Sequence, residues 1–217
     1  MPQQARAQAT RQSIVEGAAK VFLDVGYART TITQVAAVSG VTKGALYFHF
    51  DSKQALAREV IEENLSATTA IGMRVLAGGH PPLESLVRIS VGVATELLED
   101  PMTRAAVRLS MEDSDLQFRE DVPYLQWITT CESLVQQSID EGSVVGDVDA
   151  PALARFLVSA HTGVDTVSGI VADREDLLQR LEEMWHMILP GIVPAEQLDQ
   201  HRGLPALFRQ PEVGTQS

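Results

Sequence analysis

One stretch near the N-terminus, residues 31–50, restricts the fold of this chain more than any other. Its sequence is TITQVAAVSGVTKGALYFHF. Thr31 and Gln34 have the spacing of a capping box, which starts a helix. Gly40 interrupts the apolar pattern, because glycine adopts the positive φ that a tight turn requires. Thr42 then starts a second short helix, so the stretch predicts two helices joined by a glycine-containing turn, a helix-turn-helix.

The outward face of the second helix, predicted over 42–48, is polar and basic, whereas Leu46 faces inward. In a helix-turn-helix this helix enters the major groove of DNA, where a cation such as Lys43 can contact guanine and Gly44 permits close approach. Phe48 and Phe50 are expected in the core. The predicted DNA contacts are Arg6, Thr31, Thr33, Thr42, Lys43, Gly44, Tyr47, His49 and Lys53.

The distribution of charge along the chain reconciles DNA binding with a net charge of −12. Residues 1–53 hold six basic and three acidic side chains, including all three lysines, and residues 54–217 hold 11 arginines against 26 acidic groups. Contacts to phosphate act over short distances at physiological salt, so the local sign matters more than the total. The asymmetry predicts a basic DNA-binding region and an acidic body.

Helical periodicity and turn signals predict an all-α fold. Three regions are expected: a DNA-binding domain over 1–53, a ligand-binding and dimerisation domain over 54–194, and a weakly ordered tail over 195–217. Residues 1–9 are expected to be mobile, and the acidic stretch 112–121 is expected to be a solvated loop. Outside the helix-turn-helix, helices are predicted near 10–25, 52–76, 83–99, 101–111, 123–141, 150–171 and 174–189.

Two sequence motifs resemble those of a known family. GVTKGALYFHF followed by Asp51-Ser52-Lys53, with VFLDVGYARTTI before it, is similar to the recognition-helix signature of the tetracycline-repressor (TetR) family. The resemblance covers residues 10–56. It implies a bacterial transcription regulator that binds operator DNA as a homodimer, with a C-terminal helical bundle for dimerisation and a small-molecule inducer.

A looser resemblance covers residues 10–194. PYLQWITTCESL, DVDAPALARFLVSAHTGV and EMWHMILPG are similar to the autoregulator-receptor branch of the TetR family. In that branch, which binds γ-butyrolactones, a tryptophan matching Trp127 lines the ligand pocket; otherwise Trp127 is an ordinary core residue. An indole offers an apolar wall and one N–H donor. Polar groups on otherwise apolar helices must find partners, and a ligand is one candidate. The predicted ligand-binding residues are Asn64, Thr68, Ser90, Trp127, Thr130, His161, Thr162, Asp165 and Thr166.

Two alternatives stay open for the polar residues of this set. A threonine on an apolar helix can bond to a ligand or to a carbonyl of its own helix. His161 stands where the branch is expected to have a hydroxyl-bearing or small residue, and it therefore bears on which ligand is bound.

Enzymatic and membrane functions lack sequence support. The five histidines show no metal-ligand spacing, and neither a phosphate loop nor a nucleophile elbow is present, so no metal, cofactor or catalytic residue is predicted. Cys131 is expected to be a core thiol, although pairing with His161 is geometrically possible. No apolar run approaches about 18 residues, which predicts a cytosolic protein with no membrane partner.

These features predict a homodimeric repressor that a small diffusible signal, a γ-butyrolactone or butenolide, releases from its operator. The last two predicted helices are expected to pair with their copies in the dimer, with Leu181 and Trp185 at the interface. Two alternatives are a TetR-type regulator of an efflux gene that senses lipophilic xenobiotics, and a ligand-independent DNA-architectural protein.

Overall fold

The computed structural model describes residues 2–112 and 121–210, and α-helices dominate these residues, with no β-strand among them. The all-α prediction is confirmed. Two short 3-10 segments, Ala195–Gln197 and Leu204–Arg209, flank the last helix. The helices are α1 (Pro2–Val25), α2 (Ile32–Val38), α3 (Lys43–His49), α4 (Lys53–Ala77), α5 (Pro82–Glu99), α6 (Pro101–Glu112), α7 (Asp121–Asp140), α8 (Ala150–Ala172), α9 (Leu177–Ile192) and α10 (Leu198–His201).

The chain divides into two compact units, and the division differs from the predicted boundary at residue 53. The first unit contains Met1–Thr68 and Leu97–Glu120, and the second contains Thr69–Glu96 and Asp121–Ser217. Both α4 and α5 continue from one unit into the other. The predicted acidic loop over 112–121 falls almost entirely outside the described residues, which resume at Asp121, the start of α7.

The first unit has a core to which α6 contributes, although the sequence predicted a head formed by residues 1–53 alone. Ala105, Ala106 and Leu109 of α6 are buried in the same cluster as Phe22 and Leu56. The Arg108 guanidinium also donates to the Leu23 carbonyl near the end of α1. The head therefore needs a segment that lies about 50 positions further along the chain.

The predicted mobile segment over 1–9 is wrong for the residues that are described, because α1 begins at Pro2. Thr10, the predicted start of α1, lies within the helix and donates its hydroxyl to the Arg6 carbonyl, at 2.9 Å. The preceding residues are mostly Gln, Ala and Arg, which have high helix propensity. Adding such residues to an existing helix gains one hydrogen bond for each residue fixed.

The first half of α7 is more exposed than the sequence indicated. Six apolar residues between Tyr124 and Val135 cover more than half the circumference of this helix, which predicts that it is largely buried. Tyr124 is exposed and Trp127 is half-buried, whereas Leu134 and Val135 are fully buried. Only the second half of α7 therefore belongs to the core of the second unit.

Both ends of α9 differ from the prediction of 174–189. Asp173 and Arg174 have φ values of 48° and 66°, in the left-handed region, so a helix cannot start there. Pro190 does not end the helix, which continues to Ile192. Its missing N–H would have bonded to the carbonyl of His186, which lies on the exposed side, where water can replace the donor.

The segment after α9 is folded as far as Gln210, so the predicted weakly ordered tail is wrong for residues 195–210. Pro205 and Phe208 are buried, and the 3-10 segment that holds them packs on α9. Arg209 forms an ion pair with Glu182 of α9, with its Nε 2.9 Å from Oε1. Residues 211–217 lie outside the described part of the chain.

Candidate DNA-binding head and ligand site

The recognition helix α3 has the outward face that the sequence predicted. Its N-cap is Thr42, whose hydroxyl accepts from the Ala45 N–H at 3.1 Å. Leu46 is fully buried and anchors the helix, while Lys43 and Tyr47 are exposed. The cap fixes Lys43 as the first helical residue, where its side chain is free of any hydrogen bond or ion pair within the described residues.

The turn before α3 is held against α1. The capping box of Thr31 and Gln34 is present, and Gly40 has a φ of 66°. The Ser13 hydroxyl donates to the Ser39 carbonyl at 3.2 Å. A Cβ added at Gly17 of α1 would lie 2.1 Å from the Ser39 Oγ and 3.2 Å from the Ser39 Cα, so a larger residue would require the turn to shift. Thr33, a predicted DNA contact, is exposed on α2.

Within the described residues, nothing requires residue 44 to be glycine. It is exposed in α3, and the nearest atom to an added Cβ is the Thr42 Oγ1 at 4.0 Å. Glycine inside a helix costs about 1 kcal/mol relative to alanine. Since the protein itself leaves this space open, a partner outside the chain is the remaining reason to exclude a side chain there.

Around α3, Phe48 differs from its predicted position, and Lys53 has partners within the protein besides its predicted role as a DNA contact. Phe48 is 82% exposed rather than buried, and its ring meets the His49 ring edge-on at 5.2 Å. Lys53 donates its Nζ to the Tyr27 carbonyl at 2.8 Å and lies 4.3 Å from the Tyr27 ring centroid. Lys53 therefore fastens the loop after α1. Phe50 is buried as predicted.

The predicted ligand residue Trp127 lies beside His161 in the second unit. The two rings meet edge-on, with centroids 6.3 Å apart and an interplanar angle of 84°. His161 bonds through Nδ1 to the Ser90 Oγ at 2.9 Å, and Trp185 donates its Nε1–H to the same oxygen at 3.2 Å. Burial lowers the pKa of His161 to about 4, so its ring is uncharged at neutral pH. Residues from α5, α7, α8 and α9 thus form one aromatic and polar site.

The threonines of the predicted ligand set bond to their own helices. Each hydroxyl donates to a carbonyl four residues earlier: Thr68 to Asn64, Thr130 to Gln126, Thr162 to Val158 and Thr166 to Thr162. Of the two alternatives that the sequence left open, the structure shows the helix-internal bond. These hydroxyls keep acceptor capacity but have already used their single hydrogen.

Asp165 has a partner within the protein that accounts for its burial. Its Oδ1 accepts from the Arg174 Nε at 2.7 Å, and its side chain is 6% exposed. The same Arg174 packs against Gly169, where an added Cβ would lie 3.1 Å from the guanidinium carbon. This pair fixes the left-handed turn between α8 and α9, so the carboxylate needs no ligand to be satisfied.

Asn64 is the one described residue with a buried side-chain polar atom, Oδ1, that lacks a hydrogen-bond partner. It lies in the first unit, as does Thr68, whereas the other predicted ligand residues lie in the second. A buried acceptor without a partner lowers stability, and a hydrogen-bond donor from a ligand or a water molecule would remove that cost. Its predicted ligand role stays a prediction.

The Cys131 thiol and the possible metal ligands of the described residues are the remaining candidates for chemistry. Burial raises the pKa of the Cys131 thiol to about 11, which keeps it protonated and a poor nucleophile. Among the described residues, no group of three or more His, Cys, Asp or Glu side chains could hold a metal ion. None of their helices is long and apolar enough to cross a membrane.

An apolar strip lies exposed on α8 and α9, the helices predicted to form the dimer interface. Ile170 is 79% exposed and Met187 75% exposed. Gly163 lies on the same helix as Ile170, with no atom within 4 Å of an added Cβ. In contrast, Leu181 and Trp185, the predicted interface residues, are core residues of the chain itself. The remaining exposed members of the strip are Phe156, Val167 and Val171.

Family models and relatives agree with this architecture. The model described as bacterial regulatory proteins, tetR family, matches residues 14–60, and the tetracyclin repressor-like C-terminal domain matches residues 80–194. The A-factor receptor protein of Streptomyces griseus is 37% identical over 192 residues, 88% of this chain and 67% of that protein. The HTH-type transcriptional repressor DhaR of Mycobacterium sp. is 28% identical over 83% of this chain and 93% of its own length.

Solved structures give the same result. A crystal structure of a gamma-butyrolactone receptor described as ArpA-like is 29% identical, with a TM-score of 0.80 over 95% of this chain and 98% of that one. CprB from Streptomyces coelicolor, in complex with its operator sequence, is 30% identical with a TM-score of 0.82 over 94% and 98%.

A basic helix-turn-helix and a separate unit with an aromatic site define a ligand-responsive, DNA-binding transcription regulator. The chain belongs to the TetR family of bacterial regulatory proteins, which confirms the resemblance found in its sequence. Proteins of this family are regulators and not enzymes, and TetR repressors bind operator DNA as dimers.

Proposed function

We propose that this protein is a repressor that a small signal of the γ-butyrolactone or butenolide type releases from its operator. The observation that supports this most directly is the match to the A-factor receptor, which covers 88% of the chain. A match of that extent must run through both the DNA-binding head and the unit that holds Trp127 and His161. The gamma-butyrolactone receptors of known structure resemble the chain over a similar extent.

The chemistry of the Trp127 site supports a receptor for a small neutral molecule. Trp127 offers a half-buried apolar wall, and His161 offers an uncharged polar group beside it. Asp165 is occupied by Arg174, so the site contains no unpaired charge among its described residues. Ligand sites are typically apolar with a few polar groups that orient the ligand, and this arrangement fits a lactone ring with an alkyl tail.

The dimer forms through the exposed apolar strip on α8 and α9. Apolar side chains as exposed as Ile170 and Met187 favour burial against a partner, and Gly163 permits close approach of a second backbone. A second copy supplies the same strip under two-fold symmetry. The two recognition helices then read two half-sites of a near-palindrome, and a cytoplasmic location follows from the operator as target.

The test is operator release by a lactone. An operator is first selected in vitro from random duplexes with the purified dimer, and binding is measured by fluorescence anisotropy. A 2-alkyl-γ-butyrolactone is expected to release the protein at a lower concentration than triclosan, a lipophilic xenobiotic. Release by triclosan alone would indicate a regulator of the efflux type, and a complex that no small molecule affects would indicate an architectural protein.

A further inference from the structure

The polar centre of the ligand site consists of three buried side chains, one from each of three helices, that are connected by hydrogen bonds. Trp185 of α9 donates its Nε1–H to the Ser90 Oγ of α5, and Ser90 contacts the Nδ1 of His161 on α8. The relative exposures of the three residues are 2%, 8% and 8%. The sequence analysis selected Ser90 and His161 separately, but it assigned Trp185 to the dimer interface. It therefore missed the hydrogen bonds that connect the three residues.

The arrangement determines which nitrogen of His161 carries the proton. The indole of Trp185 can only donate, and the Ser90 hydroxyl has one hydrogen of its own. Among the described residues, the Nδ1 of His161 is the acceptor within reach of the Ser90 hydroxyl hydrogen. If Nδ1 were protonated, the buried hydroxyl hydrogen would have no acceptor, which is costly. The proton of the neutral ring therefore lies on Nε2.

The Nε2 of His161 is a donor without a partner in the described part of the chain. It makes no hydrogen bond to a described residue. It is also not a fully buried atom, because the Asn64 Oδ1 is the one fully buried side-chain polar atom of the described residues that lacks a partner. Nε2 therefore contributes to the 8% of His161 that stays accessible. A donor in this position can bind an acceptor that enters from outside the protein.

The charged surroundings of His161 are unfavourable for an anion. The charged group that acts on His161 is Asp165, one turn along α8, and its negative charge is compensated by Arg174. Among the described residues, no unpaired cation acts on His161, so the carboxylate of a ligand would find no partner there. A buried carboxylate without a partner loses its hydration and gains nothing in return.

We infer that His161 sets the ligand specificity of this site: its Nε2–H donates to the carbonyl oxygen of a neutral lactone, and the site rejects the ring-opened γ-hydroxy carboxylate. The inference rests on the proposed function, since it takes a lactone as the signal. Ser90 and Trp185 are positioning residues, because they hold the ring in the tautomer that donates from Nε2. Hydrolysis of the lactone adds water across the ester bond and creates the charge that the site disfavours.

The first test examines the ring without any ligand. The full-length dimer is labelled with ¹⁵N in the histidine rings, and the His161 signals are assigned by their loss in His161→Gln. We expect an uncharged ring protonated at Nε2 between pH 8 and 5, and a mixture of tautomers in Ser90→Ala. A ring protonated at Nδ1, or a charged ring at pH 6, would overturn the inference.

The second test compares a 2-alkyl-γ-butyrolactone with its alkaline hydrolysis product by calorimetry. The wild type is expected to bind the lactone at least about tenfold more tightly, since the carboxylate must be buried without a cation. His161→Phe should bind the lactone about fivefold to tenfold more weakly, the loss of one hydrogen bond. His161→Gln, which keeps an N–H donor, should recover part of the affinity. Ser159→Ala, exposed on the same helix, is the matched control.

The outcomes separate the two proposals. Equal binding of lactone and hydroxy carboxylate, or wild-type lactone affinity in His161→Phe, would overturn the role of His161 and leave the lactone receptor intact. A wild-type protein that binds neither compound would overturn the lactone class and this inference together. Thermal unfolding of each variant checks that a loss of affinity does not come from a loss of fold.

Discussion

At the scale of single residues, two lysines close to α3 have different tasks in the free protein. Lys43 is exposed and has no bond within the described residues, whereas Lys53 donates to the carbonyls of Tyr27 and Ala28. Lys43 is therefore available to contact a DNA base, whereas Lys53 already stabilises the loop after α1. This changes the expectation for Lys53, which the sequence presented only as a possible DNA contact.

The two lysines should respond differently to substitution. Lys43→Ala is expected to weaken operator binding by ~1–3 kcal/mol and to relax the preference at one base pair, with no change in thermal stability. Lys53→Ala should lower the free energy of unfolding by about 1 kcal/mol, because two hydrogen bonds to the Tyr27 loop are lost. Anisotropy with wild-type and single-base-changed operators, together with urea unfolding, distinguishes them. Identical profiles for the two variants would contradict this division.

Gly44 gives a prediction in which stability and affinity move in opposite directions. Gly44→Ala should raise the free energy of unfolding by up to about 1 kcal/mol, because helix propensity improves and nothing in the protein obstructs the methyl group. Operator binding should fall, because the methyl group enters the space that DNA occupies. Gly72→Ala in α4, where no atom lies within 4 Å of an added Cβ, is the control and should affect stability only. Unchanged operator affinity in Gly44→Ala would show that DNA does not approach this position.

Residues whose roles depend on nearby sequence were predictable, and those whose roles depend on distant partners were not. The capping box of Thr31 and Gln34 follows from a spacing of three residues, and the structure contains it. The exposure of Phe48 could not be predicted from the neighbouring sequence, because an aromatic residue on a short helix can lie on either face. Asp165 was selected as a polar residue on an apolar helix, and its partner Arg174 lies beyond the end of that helix.

At the scale of elements, the helices were predicted well where clear start and stop signals exist. The start of α4 was expected to be capped by Asp51 or Ser52, and Ser52 is the residue that caps it. Asp149, which the sequence placed just before the next helix, caps α8. The placement of α6 in the head could not be predicted, because its small apolar face gives no information on which core it joins. The C-terminal segment was misjudged for a similar reason. Its proline and glycine content is typical of loops, but burial of Phe208 holds it on α9.

The C-terminal segment should contribute to stability through that one side chain. Phe208→Ala is expected to lower the free energy of unfolding by about 3 kcal/mol, because a fully buried ring is removed and leaves a cavity. Arg209→Ala should cost much less than Phe208→Ala, since its side chain is 69% exposed and water screens the ion pair with Glu182. Urea unfolding measures both, with exposed Gln210→Ala as the control. A Phe208→Ala protein as stable as wild type would show that the segment is not part of the fold.

At the scale of the whole molecule, the position of the dimer interface can be tested with residues that the chain does not use for its own core. Ile170→Glu combined with Met187→Glu should give folded monomers with greatly reduced operator affinity, because a monomer reads one half-site only. Sedimentation and anisotropy provide the measurements. Met73→Glu, an exposed apolar residue on α4, should stay dimeric. A double variant that remains dimeric would place the interface elsewhere.

Signalling must connect the proposed ligand site of the second unit with the recognition helix of the first. The chain itself supplies the connection, because α4 is one unbroken helix of 25 residues that passes from the first unit into the second at Thr68. A ligand shifts a conformational equilibrium only through its different affinity for the two states. Removing a ligand contact should therefore remove the response without changing the DNA-binding state.

Trp127→Ala is the variant in which this separation should be clearest. Trp127 is half-buried, lies outside the DNA-binding head, and touches the His161 ring edge-on, so its loss removes a wall of the site and leaves α3 and its caps intact. We expect operator affinity near that of the wild type and at least about a tenfold higher lactone concentration for half-release, which corresponds to about 1.4 kcal/mol of lost binding. The measurement is operator release against lactone concentration for both proteins. Equal sensitivity would mean that Trp127 only fills space, and loss of operator binding without ligand would mean that it supports the fold of the head.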